Sequence, residues 1–429
     1  MDKMADVLGR AGAWCGQNKY LSAIKNAFQN FMPLTIAGAI GVLWCNVLVN
    51  ESTGLGIFFK PIMALEFLNP AFQAVNFCTI SCITVGITLG IAQEIGVWNM
   101  GAERAGYIPG LVGLAAWLSV TNTSHMVEGA KEAFTGIAGN ELGATGLFTG
   151  MIIGVLSVEL FCFFEKQDAL KIKMPEQVPP GVARAFEVLV PATITLIITA
   201  CIGSACYNLT GLYLNDVIKN GIQGPLGAVG ATIPGVMIIY LVIMLFWLVG
   251  IHGNNMLSAV KEALFTPLAL ENVEKFNKGE KPTNIINMYA LQMWGEFGGS
   301  GVTIGLVIAI MIFGKREDNK AIATLSLVPG LFNINETVTF GIPMVLNPIL
   351  GIPFVFACLV TILVGYVLTV IGFCPVACLT VPWTTPPIVF GFLACGANVM
   401  GAVTQAILIV VSTVIYVPVS YTHLRAHET

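Results

Sequence analysis

Long apolar runs separated by short polar connections dominate the chain from about residue 31 to residue 418. A run of roughly 20 apolar residues is long enough to cross the hydrocarbon core of a bilayer as a helix. Two further apolar segments, 283–313 and 321–342, are interrupted by glycine, proline and polar residues, which predicts broken helices there. The pattern predicts an all-α integral membrane protein. Its predicted spans are 31–49, 72–92, 106–120, 144–164, 186–210, 226–250, 343–372 and 386–418. Pro353 in the seventh span, and Gly391 and Gly396 in the eighth, predict breaks within these two.

Composition supports this class and excludes others. Hydrophobic residues make up 56% of the 429 positions and charged residues 10%, whereas soluble domains are roughly 25% charged. The chain has no basic cluster, so we predict membrane lipid and no nucleic acid as its partner. The eleven cysteines form no CxxC pair. Cys78/Cys82 and Cys374/Cys378 are four residues apart, but no histidine or carboxylate accompanies either pair at metal-ligand spacing. We therefore predict no metal, no cofactor, and cysteines that act as small buried hydrophobes.

Lysine and arginine indicate the topology. They concentrate before residue 28 and in the segments 165–185, 261–282 and 315–320. By the positive-inside rule these four segments are predicted to be cytoplasmic. The segment 283–313 then begins and ends on the same side of the membrane, which predicts a re-entrant hairpin.

Two charged segments are predicted to lie at the membrane surface. Residues 1–30 are predicted to form an amphipathic helix that leads into the first span. The connection 271–282, ENVEKFNKGEKP, is the longest charged one. It is either a docking face for a cytosolic partner or an ordinary solvated loop, and the sequence leaves both alternatives open.

Glu336 is the one formally charged side chain among the 104 residues between Lys320 and Arg425. A charge at membrane depth costs roughly 3 kcal/mol on insertion scales, so such a carboxylate indicates a functional site. It lies in the phrase PGLFNINETVTFGIP, where Asn333 and Asn335 add amide donors and acceptors. Broken backbone at membrane depth is tolerated where protein or a water-filled cavity covers it. These features predict a polar binding site.

A second candidate is the segment FWLVGIHGNNM, residues 246–256. His252 ends a long apolar run, and Gly253, Asn254 and Asn255 follow it. This pattern predicts an opened helix end, at which an imidazole can donate to or accept from a hydroxyl group. A histidine satisfied within the protein core is the plain structural alternative.

The third candidate is MWGEFGGSG, which contains Glu296, Gly298 and Gly299. Its glycines lack the spacing and the preceding strand of a dinucleotide-binding loop. They favour close approach of the backbone to a ligand, or equally a tightly packed hairpin tip with Glu296 at the end of a half-helix.

The fourth candidate is VPWTTPP, in which prolines place Trp383 on irregular backbone. An exposed indole there can stack on the apolar face of a sugar ring. Trp383 and Trp247 are equally well explained as aromatic residues at the membrane interface.

Together these phrases resemble a known family. PGLFNINETVTFGIPMVLNP is similar to the signature of the membrane permease subunit, enzyme IIC, of the bacterial phosphoenolpyruvate-dependent sugar phosphotransferase system (PTS). The lactose, cellobiose and diacetylchitobiose branch is the most similar. FWLVGIHGNN, MWGEFGGSG and KNAFQNFMPLTIAGAI also resemble elements of that branch, and the likeness covers about residues 15–418.

The resemblance implies a fold and an assembly. Family members are all-helical homodimers with about ten transmembrane helices, two re-entrant hairpins and helices in the membrane plane. We therefore expect an amphipathic segment 1–30, a dimerisation half 31–225 and a substrate-binding half 226–419. The last residues, 420–429, resemble translated vector sequence, so His423 and His427 are assigned no role.

The resemblance also implies roles for residues. Glu336 and His252 match the family's pair beside the hydroxyl that is phosphorylated, and Trp383 matches an aromatic contact with the sugar. Matching polar and glycine positions of the site are Asn254, Glu296, Gly298, Gly299, Asn333 and Asn335. The phosphoryl group would come from a phosphocysteine on a separate IIB protein, which IIA serves. No cysteine of this chain lies in a soluble α/β module, so the chain would not be an enzyme by itself.

The expected function is uptake of a β-linked disaccharide across the bacterial cytoplasmic membrane, coupled to its phosphorylation. The sequence does not identify the sugar among cellobiose, chitobiose, lactose and related β-glucosides. Two alternatives stay open: an ion-coupled secondary transporter, which also uses broken helices at the midplane, and a membrane-embedded transferase or hydrolase that uses Glu336 and His252 as acid and base.

Overall fold

A computed structural model describes residues 2–51, 56, 59–125, 133–175, 177–342, 344 and 347–422. Within these residues the chain is mostly helical, as the apolar pattern predicts. The α-helices up to residue 230 are α1 (Asp2–Gln17), α2 (Lys19–Leu43), α3 (Asn69–Asn76), α4 (Ile83–Met100), α5 (Ala102–Ala105), α6 (Ile108–Val120), α7 (Gly139–Leu142), α8 (Ala144–Glu165), α9 (Pro180–Thr210), α10 (Leu214–Ile218) and α11 (Gly224–Gly230).

The later helices are shorter on average and more often interrupted. They are α12 (Ile233–Leu248), α13 (Gly253–Met256), α14 (Ser258–Asn277), α15 (Met288–Gly295), α16 (Ile304–Phe313), α17 (Glu317–Leu331), α18 (Glu336–Gly341), α19 (Pro348–Val370), α20 (Val389–Ala394) and α21 (Val399–Thr422). π-helical turns cover Trp44–Leu48, Phe77–Ser81 and Lys219–Gln223, and 3-10 helices cover Lys60–Leu68 and Asp168–Leu170.

Two short strands depart from the all-helical prediction. β1 (Ser124–His125) pairs antiparallel with β2 (Phe134–Thr135), with Ser124 opposite Thr135. They lie in the polar connection between α6 and α7. The long apolar runs predict helices, and strands of two residues are too short to produce a recognisable pattern of their own.

Several helices are long and apolar enough to cross a membrane. Within the described residues there are five, or six if a pair bent by 42° at residue 82 is one span. They are Lys19–Leu48, Ala144–Glu165, Pro180–Thr210, Ile349–Val370 and Val399–Ser420, and the bent pair is Lys60–Ser81 with Ile83–Met100. Shorter apolar helices are Ile108–Val120, Ile233–Leu248 and Ile304–Phe313.

Three details of the predicted elements are wrong. The break predicted at Pro353 is not found, because α19 continues through it, whereas the span 386–418 is broken at residues 395–398, around Gly396, into α20 and α21. The first long helix begins at Lys19, twelve residues before the predicted 31, so the predicted amphipathic segment 1–30 contains α1 and the first twelve residues of α2. The predicted loop 271–282 is helical as far as Asn277, because α14 continues through it. The predicted tail is not tested, since His423 and His427 lie outside the described residues.

The chain forms two compact units. Unit 1 comprises Met1–Gly16, Ile36–Asn76 and Gly227–Thr429, and unit 2 comprises Gln17–Thr35 and Phe77–Leu226. The expected halves 31–225 and 226–419 stay a prediction.

Unit 2 is built on close packing of α4, α6 and α8. Gly150 and Gly154 of α8 face Thr84 and Thr88 of α4, and a Cβ at Gly154 would lie 3.0 Å from the Thr88 carbonyl oxygen. Small residues of this kind let helix backbones approach closely, which is how membrane helices associate where the hydrophobic effect is weak. Trp117 of α6 belongs to a buried apolar cluster that also includes Ile153 of α8.

Unit 1 contains irregular backbone that side-chain amides hold in place. The segment 371–388 between α19 and α20 forms no helix. Within it, the Ala377 carbonyl accepts hydrogen bonds from Asn272 at 3.0 Å and from Asn287 at 3.1 Å. Both asparagines are completely buried. A buried carbonyl without a partner would destabilise the fold by about 1–3 kcal/mol, so these amides make the irregular course possible.

Candidate functional site

His252 lies at the opened helix end that the sequence predicts. It follows α12 and is the N-cap residue of α13, where its Nδ1 accepts a hydrogen bond from the Asn255 backbone N–H at 3.2 Å. A neutral imidazole that accepts at Nδ1 carries its proton on Nε2. The Trp247 ring lies against the imidazole, with 4.5 Å between ring centroids. The Nε2–H group of His252 is therefore available as a hydrogen-bond donor.

Glu336 is brought next to that donor. It is the first residue of α18, and its Oε1 lies 3.9 Å from His252 Nε2. This distance is too long for a direct hydrogen bond. The Glu336 side chain is 49% exposed and that of His252 is 37% exposed, so a ligand can reach both polar groups. One hydroxyl oxygen can lie about 2.8 Å from both atoms, accepting from Nε2–H and donating to the carboxylate.

Glu296 has quite different surroundings. It lies at the end of α15 and accepts hydrogen bonds at Oε1 from the Tyr240 hydroxyl, at 2.6 Å, and from the Lys261 ammonium. Only 7% of the Lys261 side chain and 18% of the Glu296 side chain are exposed. Lys261 also donates to Asn254 Oδ1 at 3.1 Å. The Glu296 charge is therefore neutralised by a buried cation, while no lysine or arginine of the described residues pairs with Glu336.

Ser300 connects this network to the glycine-rich loop between α15 and α16. Its hydroxyl accepts from Asn254 Nδ2 at 2.8 Å. Its carbonyl accepts from Asn335 Nδ2, also at 2.8 Å. Asn335 is buried, 4% exposed, and directly precedes Glu336. The loop therefore holds the residue next to Glu336 in position.

The glycines of this loop are required by its backbone and its packing. Gly298 and Gly299 have φ angles of 68° and 87°, in the left-handed region that favours glycine. A Cβ on Gly299 would lie 2.6 Å from Asn335 Cγ. The close contact found here is with Asn335, in agreement with the alternative of a tightly packed hairpin tip, and approach of this backbone to a ligand stays a prediction.

Asn333 joins the loop to the segment that carries Trp383. Its Oδ1 accepts from the Gly298 backbone N–H at 2.6 Å, and its Nδ2 donates to the carbonyls of Trp383 and Thr385. Asn333 has a φ of 63°, a conformation that asparagine tolerates better than most residues. The Trp383 side chain is 44% exposed. One asparagine therefore connects three of the four candidate phrases.

The structure brings all the predicted site residues into one neighbourhood of unit 1. His252 and Glu336 face each other, whereas the amides of Asn333 and Asn335 are engaged in holding backbone. Sequence reasoning missed Tyr240, Lys261 and Ser300. Lys261 was assigned to a cytoplasmic loop, but it lies in α14 and is buried. Its position nine residues after His252, at the end of an apolar region, was the available signal.

No arrangement of metal ligands is found in the described part of the chain, by the criterion of three or more His, Cys, Asp or Glu side chains together. The site is instead built from amides, carboxylates, a hydroxyl, an imidazole and one exposed indole. This donor and acceptor set is suited to a neutral polyhydroxylated ligand.

Comparisons with known proteins agree with one another. The family model described as "Phosphotransferase system, EIIC" matches residues 25–358. The chain is 32% identical to the PTS system oligo-beta-mannoside-specific EIIC component of Bacillus subtilis (strain 168), over 97% of this chain and 92% of that protein. It is 29% identical to the PTS system cellobiose-specific EIIC component of Lactococcus lactis subsp. lactis (strain IL1403), over 99% and 98%.

The fold is similar to a solved structure. That structure is the transporter ChbC, the IIC component from the N,N'-diacetylchitobiose-specific phosphotransferase system. The TM-score is 0.88 at 29% sequence identity, and the match covers 96% of this chain and 95% of that chain.

The contact between Gly299 and Asn335 can be tested by adding one methyl group. Gly299→Ala should lower the free energy of unfolding by about 2 kcal/mol or more beyond the cost of its positive φ, because the new Cβ overlaps Asn335. The matched control is Gly279→Ala, since Gly279 has a φ of 72° and nothing within 4 Å of an added Cβ. Thermal unfolding of both purified variants in detergent measures the difference. Equal losses would contradict the packing role of Gly299.

Proposed function

The chain belongs to the phosphotransferase system EIIC family, and from that premise we propose that it takes up a β-linked disaccharide of the cellobiose, chitobiose or lactose type. A separate IIB protein, itself phosphorylated by IIA, phosphorylates the sugar during uptake. Members of this family are membrane transporters, in agreement with the long apolar helices of the chain. The names of the similar proteins support a β-linked sugar, because they include cellobiose-, oligo-β-mannoside- and diacetylchitobiose-specific components.

The observation that carries the proposal is the separation of His252 Nε2 and Glu336 Oε1 by 3.9 Å. A sugar hydroxyl between them donates to Glu336 and accepts from His252. When a phosphocysteine of IIB approaches, the hydroxyl oxygen forms the new O–P bond and the S–P bond breaks. The cysteine leaves as a thiolate, and the hydroxyl proton passes to Glu336, which acts as general base. His252 keeps the oxygen in line during this transfer.

The other polar groups hold the rest of the sugar. Within the described residues, both hydrogen bonds that Glu296 accepts are made by its Oε1. Its Oε2 can therefore accept a hydrogen bond from a second hydroxyl of the sugar. Asn254 lies beside it through their shared partner Lys261. Because Lys261 already neutralises Glu296, this part of the site can bind a neutral sugar without an uncompensated charge.

Trp383 supplies the apolar contact, with its exposed indole stacked on the face of a pyranose ring. Gly298 and Gly299 let the loop backbone approach the ligand. Asn333 and Asn335 belong to the proposed site mainly as positioning residues, since their amides bind the backbone around Trp383 and Ser300.

The family architecture extends to the whole chain. We propose about ten transmembrane helices and two re-entrant hairpins, in the segments 283–313 and 321–342. Each segment consists of two short helices with a non-helical break between them, at 296–303 and 332–335. The region 31–225 would form the homodimer contact and 226–419 the substrate half, with α1 in the membrane plane.

Transport by vesicles tests the function directly. Membrane vesicles that contain the protein should accumulate labelled disaccharide as its phosphate when phosphoenolpyruvate and the soluble PTS proteins are supplied, and should accumulate little without them. Uptake of unmodified sugar driven by a proton or sodium gradient would contradict the proposal and favour an ion-coupled transporter.

Glu336→Gln should abolish sugar phosphorylation, because an amide cannot accept the hydroxyl proton. The variant should still fold and bind sugar, since glutamine has the same shape. The control is Glu317→Gln, whose parent carboxylate is 87% exposed and paired with Lys320. Sugar phosphate formation with purified IIB is the measurement. A rate within twofold of wild type for Glu336→Gln would remove its role as base.

His252→Ala should weaken sugar binding about tenfold, the loss expected for one hydrogen bond to the ligand. Isothermal titration of the purified protein measures the dissociation constant, and His125→Ala in unit 2 is the control. If the constant is unchanged in His252→Ala, His252 does not contact the sugar.

A further inference from the structure

One buried glutamine joins two segments of the site and has no part in the mechanism above. Gln405 lies on α21 and is 1% exposed. Its Oε1 accepts hydrogen bonds from the backbone N–H groups of Ile388, at 2.8 Å, and Gly391, at 2.7 Å. Its Nε2 donates to the Met293 carbonyl at 3.2 Å. A single side chain therefore bonds to two stretches of chain about a hundred residues apart in sequence.

Both stretches lead directly to proposed sugar contacts. Met293 is in the last turn of α15, three residues before Glu296. Ile388 ends the irregular segment that carries Trp383, five residues after it. Gln405 therefore links the segment that carries the Trp383 indole to the helix end that carries the Glu296 carboxylate.

The hydrogen bond from the Ile388 N–H to Gln405 is made at a residue with a strained backbone conformation. Ile388 has a φ of 75° and a ψ of −52°, close to a classic γ-turn. A β-branched residue at positive φ is a genuine outlier, and such a conformation persists only where the surroundings over-determine it. The Gln405 Oε1 binds the N–H of this very residue. It also fits closely against Gly391, where an added Cβ would lie 2.9 Å from Oε1.

Only an amide side chain satisfies all three partners. It must accept twice at one atom and donate from the other, which a carboxylate or an apolar residue of the same length cannot do. The turn at Ile388 sets the direction in which the chain leaves the Trp383 segment. The bond to Gln405 therefore stabilises the strained turn at the end of the Trp383 segment, while Asn333 bonds to the carbonyls of Trp383 and Thr385 within that segment.

We propose that Gln405 is a positioning residue that sets sugar affinity through Trp383, by holding the strained turn at Ile388 in register with α15. The inference rests on the proposed stacking of a sugar on Trp383. It assigns Gln405 no contact with the sugar.

A double-mutant cycle tests the proposal. Dissociation constants are measured by isothermal titration on purified wild-type protein, Gln405→Met, Trp383→Ala and the double variant, with whichever of cellobiose, lactose and N,N'-diacetylchitobiose binds wild type most tightly. Gln405→Met should weaken binding about tenfold in the wild-type background and less than about twofold in the Trp383→Ala background, because contacting or coupled residues are not additive. Thr413→Val is the control on the same helix, since the Thr413 hydroxyl bonds to the Ile409 carbonyl within α21; it should bind like wild type.

The outcomes separate this inference from the proposed function. If wild-type protein binds none of the three sugars, the proposed function fails. If wild type binds and Trp383→Ala does not weaken binding, the role of Trp383 and the present inference both fail. If Gln405→Met and Trp383→Ala each weaken binding and their effects multiply, Gln405 is structural only and the inference fails. If Gln405→Met yields no folded protein, the cycle is repeated with Gln405→Glu, which keeps the bonds from Ile388 and Gly391 and loses only the bond to the Met293 carbonyl. That cycle tests the connection to α15, and effects that multiply with those of Trp383→Ala make the inference fail.

Discussion

The site of this protein depends on the satisfaction of buried backbone groups by side-chain amides. Three stretches of unit 1 that carry or adjoin candidate binding residues are not helical, 296–303, 332–335 and 371–388. Their backbone N–H and C=O groups must be paired within a membrane protein. Five amide side chains do much of this pairing, each over a long distance in sequence: Asn272, Asn287, Asn333, Asn335 and Gln405. Their bonds hold the breaks in fixed positions, and the candidate binding residues lie on those breaks.

The same arrangement gives the two carboxylates of the candidate site different surroundings. Glu296 is enclosed by Tyr240 and Lys261, so its charge is compensated inside the protein. Glu336 is half exposed and faces only the imidazole of His252 among the described ionisable groups. A compensated carboxylate suits recognition of a neutral hydroxyl, whereas an uncompensated one suits acceptance of a proton. Charge on the phosphorylated sugar beside Glu336 would then favour release of the product.

Sequence reasoning predicted the polar residues that the structure brings together more completely than the contacts that hold them in place. Glu336 stood out because a charge at membrane depth is costly, and His252 because glycine and asparagine follow it. Asn333 and Asn335 were predicted as ligands, yet local sequence cannot show that an amide is already engaged by a backbone 35 or 50 residues away. Lys261 was misplaced for a similar reason, since a count of basic residues treats a buried lysine as a loop residue. The break between α20 and α21 lies inside one apolar run, so hydropathy does not locate it, whereas Gly396 within that run predicts it.

The most direct test of the account is an experimental structure of the protein with a bound disaccharide. It should show one sugar hydroxyl oxygen within about 3.2 Å of both His252 Nε2 and the Glu336 carboxylate, with the Trp383 indole against a sugar face. A sugar that is bound elsewhere in the chain, or bound with no hydroxyl between these two side chains, would contradict the central claim.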